Sequence, residues 1–447
     1  MFEPTPRAPR YIKIASAIEA ALDRGELRAG DQLPTVRALA VQLGVSSASV
    51  AVAYSLLERR GRLLAHVGRG TFVRESADGR GQHSSSRQSS LVGSPLAYNR
   101  GSDVPIARAW RRRVLQFGDR LRAISPEALV CSSSWPDAGL LPFEVMRRAY
   151  ARAVAQLQPS DLQYGGPEAH PELARALVPR LQADGVALES GPGSLLVMSS
   201  FGQLLTILLQ LAPALVDTPT ISVAVEEPGY HAAFNLIETL GHRLVGVGID
   251  EHGAEPESLR QALEDGASLV LLTPRALNPT GASWTIRRRQ ALADVLRQHP
   301  HAIIVEDDHC AGLATGRPGS LWTDPDLQER TVHARSFSKS VAPDLRMTVV
   351  VARGRLHALL RDGKLRDGGW APRLGQRALA AALEDPDLDV ALTEASLAYS
   401  QRRQAAIRAL REHLPATAVA VAQDGLNVWV SLPAGCDAQD VIQHAAH

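Results

Sequence analysis

The 447-residue chain has little cysteine and no long apolar run. Its three cysteines, Cys131, Cys310 and Cys436, are odd in number and far apart, which argues against a disulfide framework. None has a CxxC or histidine partner at metal-ligand spacing, so we expect no metal site. No apolar stretch approaches the roughly 20 residues that a membrane helix needs, and the polar start lacks the pattern of a secretory signal. Together these absences indicate a cytoplasmic protein.

Lysine is also scarce, since only three of the 48 basic residues are lysines. A lysine kept among small and apolar residues suggests a task that arginine cannot perform, because a lysine amine can lose its proton and form an imine with an aldehyde. Lys339 has such a setting in the segment SFSKS (336–340), whereas Lys13 and Lys364 have ordinary surface settings. Lys339 is therefore either a Schiff-base lysine or a solvated lysine that follows a strand.

Length and charge divide the chain into parts. A chain of 447 residues is expected to form two or three domains. The net charge is +1, but residues 1–74 contain eleven basic and six acidic side chains, and a basic terminal module points to nucleic acid. Residues 75–107 are rich in glycine, serine and other polar residues without apolar periodicity, which predicts a flexible linker. Residues 108–447 form the body.

The pattern of the first module predicts a winged helix-turn-helix. Apolar residues at helical spacing predict helices over 11–22, 36–43 and from 46 to 59 or 60, with Thr35 and Ser46 as N-caps. Residues 30–34 are predicted to form a turn, and two short strands, 63–67 and 71–73, flank a glycine turn. In this geometry the third helix lies in the DNA major groove, where the side chains of its first turn reach base edges.

Four segments of this module resemble the GntR-type DNA-binding domain: LPTVRALA (33–40), LGVS (43–46), AYSLL (53–57) and GRGTFV (68–73). The candidate DNA-contacting residues are Arg37, Ser46, Ser47, Ser49, Tyr54, Arg69 and Gly70. The family often has arginine where this chain has Ser47, so we expect a different base preference. A winged helix that contacts protein instead of DNA is the alternative.

The body alternates apolar runs with helical patterns. The runs are 194–199, 221–225, 244–249, 269–273, 302–305, 333–337 and 347–351. This order predicts an α/β fold with a mainly parallel sheet, in which ligands collect at the carboxyl ends of strands. The unusual segments at those ends are YGGP (164–167), SSFGQ (199–203), EPGY (227–230), PRALNPTG (274–281), EDDH (306–309) and SFSK (336–339), with Arg346. In this order they resemble the fold-type I aminotransferases, which bind pyridoxal 5′-phosphate.

This resemblance implies a role for each residue around the pyridine ring of the cofactor. Lys339 would hold the cofactor as a Schiff base, and Asp307 would keep the ring nitrogen protonated, which makes the ring an electron sink. Asn278 and His309 would hydrogen-bond the ring oxygen, and Tyr230 would lie against the ring face.

The same resemblance implies a cup for the cofactor phosphate. Backbone N–H groups of Ser200, Phe201 and Gly202 would lie at a helix start, where the helix dipole favours an anion. The remaining phosphate-binding candidates are Ser336, Ser338, Arg346 and Tyr164. Of these, Tyr164 would reach the phosphate of a neighbouring subunit, because such sites lie at dimer interfaces.

A GntR-type domain, a serine-rich linker and an aminotransferase-like body are the layout of the MocR-type transcriptional regulators, which the chain resembles over almost its whole length. The resemblance implies a homodimer, expected to be head-to-tail, on double-stranded promoter DNA. Its body would sense pyridoxal phosphate or an amino compound. Two alternatives stay open: a pyridoxal-phosphate-dependent aminotransferase with an appended DNA-binding domain, and a degenerate fold used only for dimerisation.

Four features depart from that family. His309 stands where a tyrosine is usual, Ser200 stands where a glycine is usual, and Ala276 and Leu277 stand where polar residues are usual. The chain ends at His447, before the part that normally carries the arginine clamp for the α-carboxylate of an amino acid. We do not expect Arg275 or Arg373 to substitute for this clamp, which favours cofactor binding over catalytic turnover.

Overall fold

The computed structural model describes most of the body and part of the N-terminal module. The described ranges are 31–43, 62–66, 70–73, 134–188, 195–216, 218–316, 318–414, 418–419 and 424–433, with residues 14, 15, 18, 22, 45, 50, 51, 53, 54, 57, 436, 438 and 441. The chain divides into two compact units, Met1–Leu91 and Val92–His447. The predicted linker, 75–107, lies outside the described residues.

The first unit has the winged-helix pattern that its sequence predicts. Its described elements are strand β1 (Gln32–Leu33), helix α1 (Val36–Leu43), strand β2 (Leu63–His66) and strand β3 (Gly70–Val73). Helical positions also occur between 14 and 22 and between 50 and 57. The strands form an antiparallel sheet in the order β1–β3–β2. Apolar side chains from all these segments, among them Ile14, Ala40 and Leu57, pack into one core.

The start of α1 confirms one local prediction and corrects another. The predicted N-cap Thr35 accepts a hydrogen bond at its Oγ1 from the Ala38 N–H at 3.2 Å. The predicted turn over 30–34 is wrong at its centre, because Gln32 and Leu33 form β1 and pair with β3. A two-residue strand has no periodicity of its own, so only pairing with a distant segment reveals it.

The second unit is an α/β structure. Its strands are β4 (Leu195–Met198), β5 (Ser222–Glu227), β6 (Arg243–Asp250), β7 (Gly253–Ala254), β8 (Ala267–Leu272), β9 (Ile303–Asp308), β10 (Thr331–Ser336), β11 (Thr348–Val351), β12 (Ala418–Val419) and β13 (Val430–Ser431). Its helices are α2 (Phe143–Ala155), α3 (Pro171–Ala183), α4 (Phe201–Val216), α5 (His231–Thr239), α6 (Pro256–Glu264), α7 (Ile286–Gln298), α8 (Gly354–Arg366), α9 (Arg373–Glu384) and α10 (Asp387–His413). Among the described helices, none combines the length and apolar character that crossing a membrane requires.

The large sheet of this unit is mainly parallel, as predicted. Its order is β4–β11–β10–β9–β8–β5–β6–β7. Strands β10, β9, β8, β5 and β6 are parallel neighbours, whereas β11 is antiparallel to both β10 and β4. Each of the seven apolar runs in the sequence overlaps one of the sheet strands. The short strand β7, which no apolar run signals, pairs antiparallel with β6.

Helices cover both faces of the sheet, which explains why its strands are continuous apolar runs. Successive side chains of a strand point to opposite faces, and β9 shows this directly. Ile303 and Val305 pack in the cluster that contains α4, α5 and α8, whereas Ile304 packs in the cluster that contains α6 and α7. Helices α2, α3, α9 and part of α10 form a further cluster with β4 and β11.

The strand register brings the motif-bearing loops to one edge of the sheet. Ser336 at the end of β10 pairs with Thr348, and Thr348 pairs with Met198 at the end of β4. In the parallel pair, Ala334 lies beside Asp307 near the end of β9. The loops after β4, β9 and β10 therefore start at the same edge, which is the edge where ligands are expected.

Candidate functional site

Lys339 lies in the loop that follows β10 and is partly buried. Its Nζ donates a hydrogen bond to the carbonyl oxygen of Ser134 at 2.6 Å. Burial lowers the pKa of Lys339, while the nearby Cys310 and Asp307 act in the opposite direction. A lowered pKa increases the fraction of neutral amine, which is the form that attacks a carbonyl.

Lys364, expected at the surface, is instead 2% exposed in α8. Its Nζ donates to Oε1 of Gln203 at 3.0 Å. The arginine and aspartate residues next to Lys364 in the sequence lie on the other faces of the helix. For this reason the local composition suggests a surface position, although Lys364 itself is buried. Lys339 is thus distinguished by its surroundings and not by burial alone.

Asp307 and Asp308 end strand β9 and, as consecutive strand residues, point to opposite faces. Asp307 is 7% exposed, and its Oδ1 has no hydrogen-bond partner within the described ranges. Burial and the charge of Asp308 raise the pKa of Asp307 to about 7, an effect that the Lys339 charge partly offsets. An unpartnered buried carboxylate oxygen is costly, which fits a site that receives an N–H donor from a ligand.

Asp308 belongs to a buried ionic network. Arg275 Nε lies 2.8 Å from its Oδ1, and Arg335 Nη2 lies 2.8 Å from its Oδ2. Both guanidinium groups also contact Asp184, at 3.3 and 2.7 Å. His333 lies between Glu306 and Asp308, at 2.8 Å from the first and 3.7 Å from the second. Burial alone would raise the pKa of Asp308, but the charges of Arg335 and Arg275 outweigh it and lower the pKa to about 2.

The two arginines considered for a carboxylate clamp are already engaged. Arg275 is 4% exposed within the network just described. Arg373 donates to the carbonyl oxygens of Ser160 at 2.5 Å and Tyr164 at 3.2 Å. In this structure both guanidinium groups therefore bind other parts of the protein.

The candidate phosphate cup combines the start of α4 with the loop after β10. Ser200 precedes the helix, and its Oγ accepts from the Gln203 N–H at 3.1 Å. The first intrahelical bond runs from the Leu204 N–H to the Ser200 carbonyl at 3.3 Å, so the earlier N–H groups, those of Phe201 and Gly202 included, have no partner within the helix. Such groups form an anion site at a helix N-terminus.

The loop side of this cup contains Ser336, Ser338 and Arg346. Ser336 is 7% exposed, and its Oγ donates to Oγ of Ser338 at 3.3 Å. Arg346 is exposed and has a left-handed backbone with φ 49°. Non-glycine residues seldom adopt this conformation; here it turns the chain between Pro343–Leu345 and β11.

The ring side of the site contains Tyr230, His309 and Asn278. Tyr230 is the N-cap residue of α5, and the charges of Asp307 and Arg346 both act on its hydroxyl. Burial and the Lys339 charge lower the pKa of His309 to about 4, so the imidazole is neutral at neutral pH and can donate one N–H. Asn278 accepts a hydrogen bond at Oδ1 from Nδ2 of Asn427 at 2.9 Å.

Two site residues escaped the sequence interpretation, Ser134 and Asn427. Ser134 Oγ donates to Oδ1 of Asn427 at 2.9 Å, and Ser134 also accepts from Lys339 through its carbonyl. Neither residue belongs to a segment with a recognised cofactor role. Asn427 lies in the segment GLN (425–427), which follows α10 in the chain.

Tyr164 stands apart from the other cofactor candidates. Its side chain is 87% exposed and contacts the edge of the Trp370 ring, with centroids 5.3 Å apart. The described part of this chain does not join it to Lys339 or Asp307. Contact of Tyr164 with a neighbouring subunit stays a prediction.

Comparisons with known proteins agree with both halves of the chain. The family model for aminotransferase class I and II matches residues 130–444, and the model for bacterial regulatory proteins of the gntR family matches residues 10–73. The vitamin B6 salvage pathway transcriptional repressor PtsJ of Salmonella typhimurium is 32% identical over 425 residues, covering 94% of this chain and 85% of PtsJ. The probable rhizopine catabolism regulatory protein MocR of Rhizobium meliloti is 26% identical over 407 residues, covering 91% and 78%. The chain belongs to the MocR-type transcriptional regulators.

Solved structures confirm the fold of the second unit of this MocR-type regulator. The kynurenine aminotransferase of Pyrococcus horikoshii superposes with a TM-score of 0.67 at 21% identity, covering 76% of this chain and 86% of the enzyme. At this identity the likeness shows the fold alone. The predicted fold-type I aminotransferase architecture is thereby confirmed.

The DNA-binding candidates of the MocR-type regulator are only partly described. Ser46, Ser47, Ser49 and Arg69 lie outside the described residues, as does the side chain of Arg37, whose backbone belongs to α1. Gly70 is the first residue of β3. For these residues, DNA contact stays a prediction.

Tyr54 is a different case, because the structure places it in the core of the first unit. Its side chain is 5% exposed, and its hydroxyl donates to the Pro34 carbonyl at 2.7 Å. This geometry contradicts a direct DNA contact by Tyr54. Tyr54 packs in the same core cluster as Leu33 and Val50.

Replacing Tyr54 by phenylalanine is expected to lower the free energy of unfolding of the first unit by about 1 kcal/mol, because one buried hydrogen bond is lost. DNA affinity below the melting temperature is expected to stay within about twofold of the parent. Thermal melting followed by circular dichroism and DNA-binding anisotropy measure the two quantities. A tenfold loss of DNA affinity in a folded variant would instead indicate contact with DNA.

Glu226, at the end of β5, is a buried acid near this site. It is 3% exposed, and its Oε2 accepts from the Thr273 N–H at 2.8 Å. Burial raises the pKa of Glu226 to about 8, whereas an unfolded glutamate has a pKa of about 4.3. Between these values the folded chain binds a proton that the unfolded chain has released, so this residue lowers stability as pH rises from about 4 to about 8.

Replacing Glu226 by glutamine should remove that loss. Between pH 6 and pH 8 we expect the free energy of unfolding of the cofactor-free parent to fall more than that of the variant, by about 2 kcal/mol. All six tryptophans lie beyond residue 107, so urea unfolding followed by tryptophan fluorescence reports on the second unit. The exposed Glu144, replaced in the same way, is the control and should behave like the parent. Equal losses in the parent and the Glu226 variant would contradict the prediction.

Proposed function

We propose that this regulator binds pyridoxal 5′-phosphate through Lys339 and that the cofactor, or an amino compound that reacts with it, controls promoter binding. The observation that carries the proposal is the pairing of Lys339 with Asp307. A lysine with a lowered pKa lies within electrostatic reach of a buried carboxylate whose Oδ1 has no partner in the described part of the chain. A protonated pyridine nitrogen would satisfy that oxygen.

The remaining residues fit the same cofactor. The start of α4, with Ser200, Phe201 and Gly202, would hold the phosphate together with Ser336, Ser338 and Arg346. Asn278 and His309 would donate hydrogen bonds to the ring oxygen, and Tyr230 would lie against the ring. When bound, pyridoxal phosphate supplies an aldehyde for amines and an electron-withdrawing ring.

The working form is proposed to be a cytoplasmic homodimer. Four large side chains in and around α2 are at least two thirds exposed: Trp135 (73%), Phe143 (68%), Leu162 (76%) and Tyr164 (87%). Exposed apolar groups of this size favour an interface, and a second subunit there would bring Tyr164 towards the phosphate of its partner. A head-to-tail arrangement stays an expectation from the family.

The winged helix would supply the DNA contacts, with Arg37, Arg69 and Gly70 on the backbone and Ser46, Ser47 and Ser49 at base edges. A dimer would place two such modules on adjacent half-sites. For the cofactor to act as a signal, it must bind the two conformations of the dimer with unequal affinity.

The test is DNA binding by the full chain, measured by anisotropy on a labelled duplex from the region upstream of its own gene. Saturating pyridoxal phosphate should change the dissociation constant at least fivefold, since allosteric coupling is commonly about 5- to 150-fold. The variant Lys339→Ala is the control and should show no change. Equal affinity with and without pyridoxal phosphate, and with a panel of amino compounds, would overturn the sensing role. Steady transamination of an amino acid with a 2-oxo acid would instead support an enzyme.

A further inference from the structure

A chain of side-chain hydrogen bonds crosses the site from residue 134 to residue 278. Ser134 Oγ donates to Asn427 Oδ1 at 2.9 Å, and Asn427 Nδ2 donates to Asn278 Oδ1 at 2.9 Å. All three residues are partly buried. The Nζ of Lys339 also donates to the Ser134 carbonyl, at 2.6 Å. These hydrogen bonds join three segments that are far apart in the sequence.

An amide side chain has a donor end and an acceptor end, so a chain of amides has a direction. A ring oxygen that carries negative charge accepts hydrogen bonds, and Asn278 can serve it only through Nδ2. The Oδ1 of Asn278 must then point away from the ring oxygen, and it needs a hydrogen-bond donor from another residue. Asn427 Nδ2 is that donor, which leaves Asn427 Oδ1 to accept from Ser134. The observed bonds run in this direction throughout.

We propose that Asn427 is a positioning residue, which turns the amide N–H of Asn278 toward the ring oxygen of bound pyridoxal phosphate. The inference rests on the proposed function. Asn427 would act on the ring through Asn278, to which its Nδ2 donates. A donor at the ring oxygen stabilises its negative charge, and this charge is greatest when the adjacent imine nitrogen has lost its proton. The Asn278 donor therefore lowers the pH at which the imine titrates.

The experiment is a pH titration of the imine absorbance of the full chain loaded with pyridoxal phosphate. Asn427→Leu, similar in size but without a donor, is expected to raise the midpoint by about one pH unit, a typical effect for a hydrogen bond to a charged group. Asn278→Ala should raise it at least as much. In the double variant the Asn427 substitution should add no further shift, because its effect passes through Asn278.

The outcomes separate the inference from the proposed function. Absence of an imine band in the parent overturns the proposed function. A parent band with an unshifted midpoint in Asn427→Leu, or an equal shift in the Asn278→Ala background, overturns the positioning role. If Asn427→Leu does not fold, Ser134→Ala decides in its place, since it removes only the hydroxyl at the far end of the chain. It should produce a smaller upward shift that also disappears in the Asn278→Ala background.

Discussion

Replacing Lys339 by alanine is expected to abolish covalent attachment of pyridoxal phosphate. The parent mixed with the cofactor should develop an imine absorption band, and borohydride reduction should fix the cofactor mass on the peptide that contains Lys339. The variant should show neither, because the only described lysine near Asp307 is lost. Absorption spectra and peptide mass spectrometry measure both results.

Lys364 offers a matched control, since it is a second buried lysine in the same unit. Burial lowers the pKa of Lys364 too, but its Nζ donates to Gln203 in the first turn of α4, whereas the Lys339 charge acts on Asp307. Lys364→Ala should therefore keep the imine band and the labelled Lys339 peptide. A band that survives in Lys339→Ala and disappears in Lys364→Ala would reverse the interpretation. No band in any of the three proteins would leave a DNA-binding protein whose signal lies elsewhere.

Replacing Asp308 by asparagine is expected to destabilise the second unit by about 3–5 kcal/mol. Asp308 is fully buried and bonds to both Arg275 and Arg335. Its removal leaves two buried guanidinium groups that share only Asp184, and an uncompensated buried charge is strongly unfavourable. Urea unfolding followed by tryptophan fluorescence measures the loss, and a variant that does not fold at 25 °C agrees with it.

A surface pair gives the control for this substitution. Both terminal guanidinium nitrogens of Arg180 donate to the carboxylate of Asp389, at 2.7 and 3.2 Å. The Asp389 side chain is nevertheless 67% exposed. Asp389→Asn should cost no more than about 1 kcal/mol. Similar losses for Asp308→Asn and Asp389→Asn would show that burial of the network contributes little.

The network also sets the acid limit of stability. The pKa of Asp308 is about 2 in the folded chain, against about 3.9 for an unfolded aspartate. Because the folded pKa is the lower one, the stabilisation by Asp308 is complete above about pH 4 and is lost as pH falls towards 2. Asp308→Asn should therefore approach the parent in stability as the pH falls through this window.

The edge of the sheet that carries the candidate cofactor residues could be predicted from local patterns. Alternating apolar runs predicted the sheet, and the strand ends at 199–203, 306–309 and 336–339 marked one edge of it. Tyr54 and Lys364 show the limit of this reasoning. Tyr54 was predicted to contact DNA and Lys364 to lie at the surface, yet packing buries both. A helical pattern indicates that one face of the helix is apolar. It does not indicate which residues at the border of that face are buried by the rest of the protein.

The sequence by itself determined the two-part layout and the order of the main strands and helices, which follow from periodicity, a local property. The candidate cofactor residues came from the resemblance of the motifs to fold-type I aminotransferases. Only the tertiary structure decided that Asp308 forms ion pairs with two buried arginines, that Asp307 Oδ1 has no partner among the described residues, and that Asn427 bonds to Asn278. The last of these contacts joins residues 149 positions apart. Strand register and loop packing determine which residues form these contacts. Neither register nor loop packing produces a recognisable pattern in the amino-acid sequence.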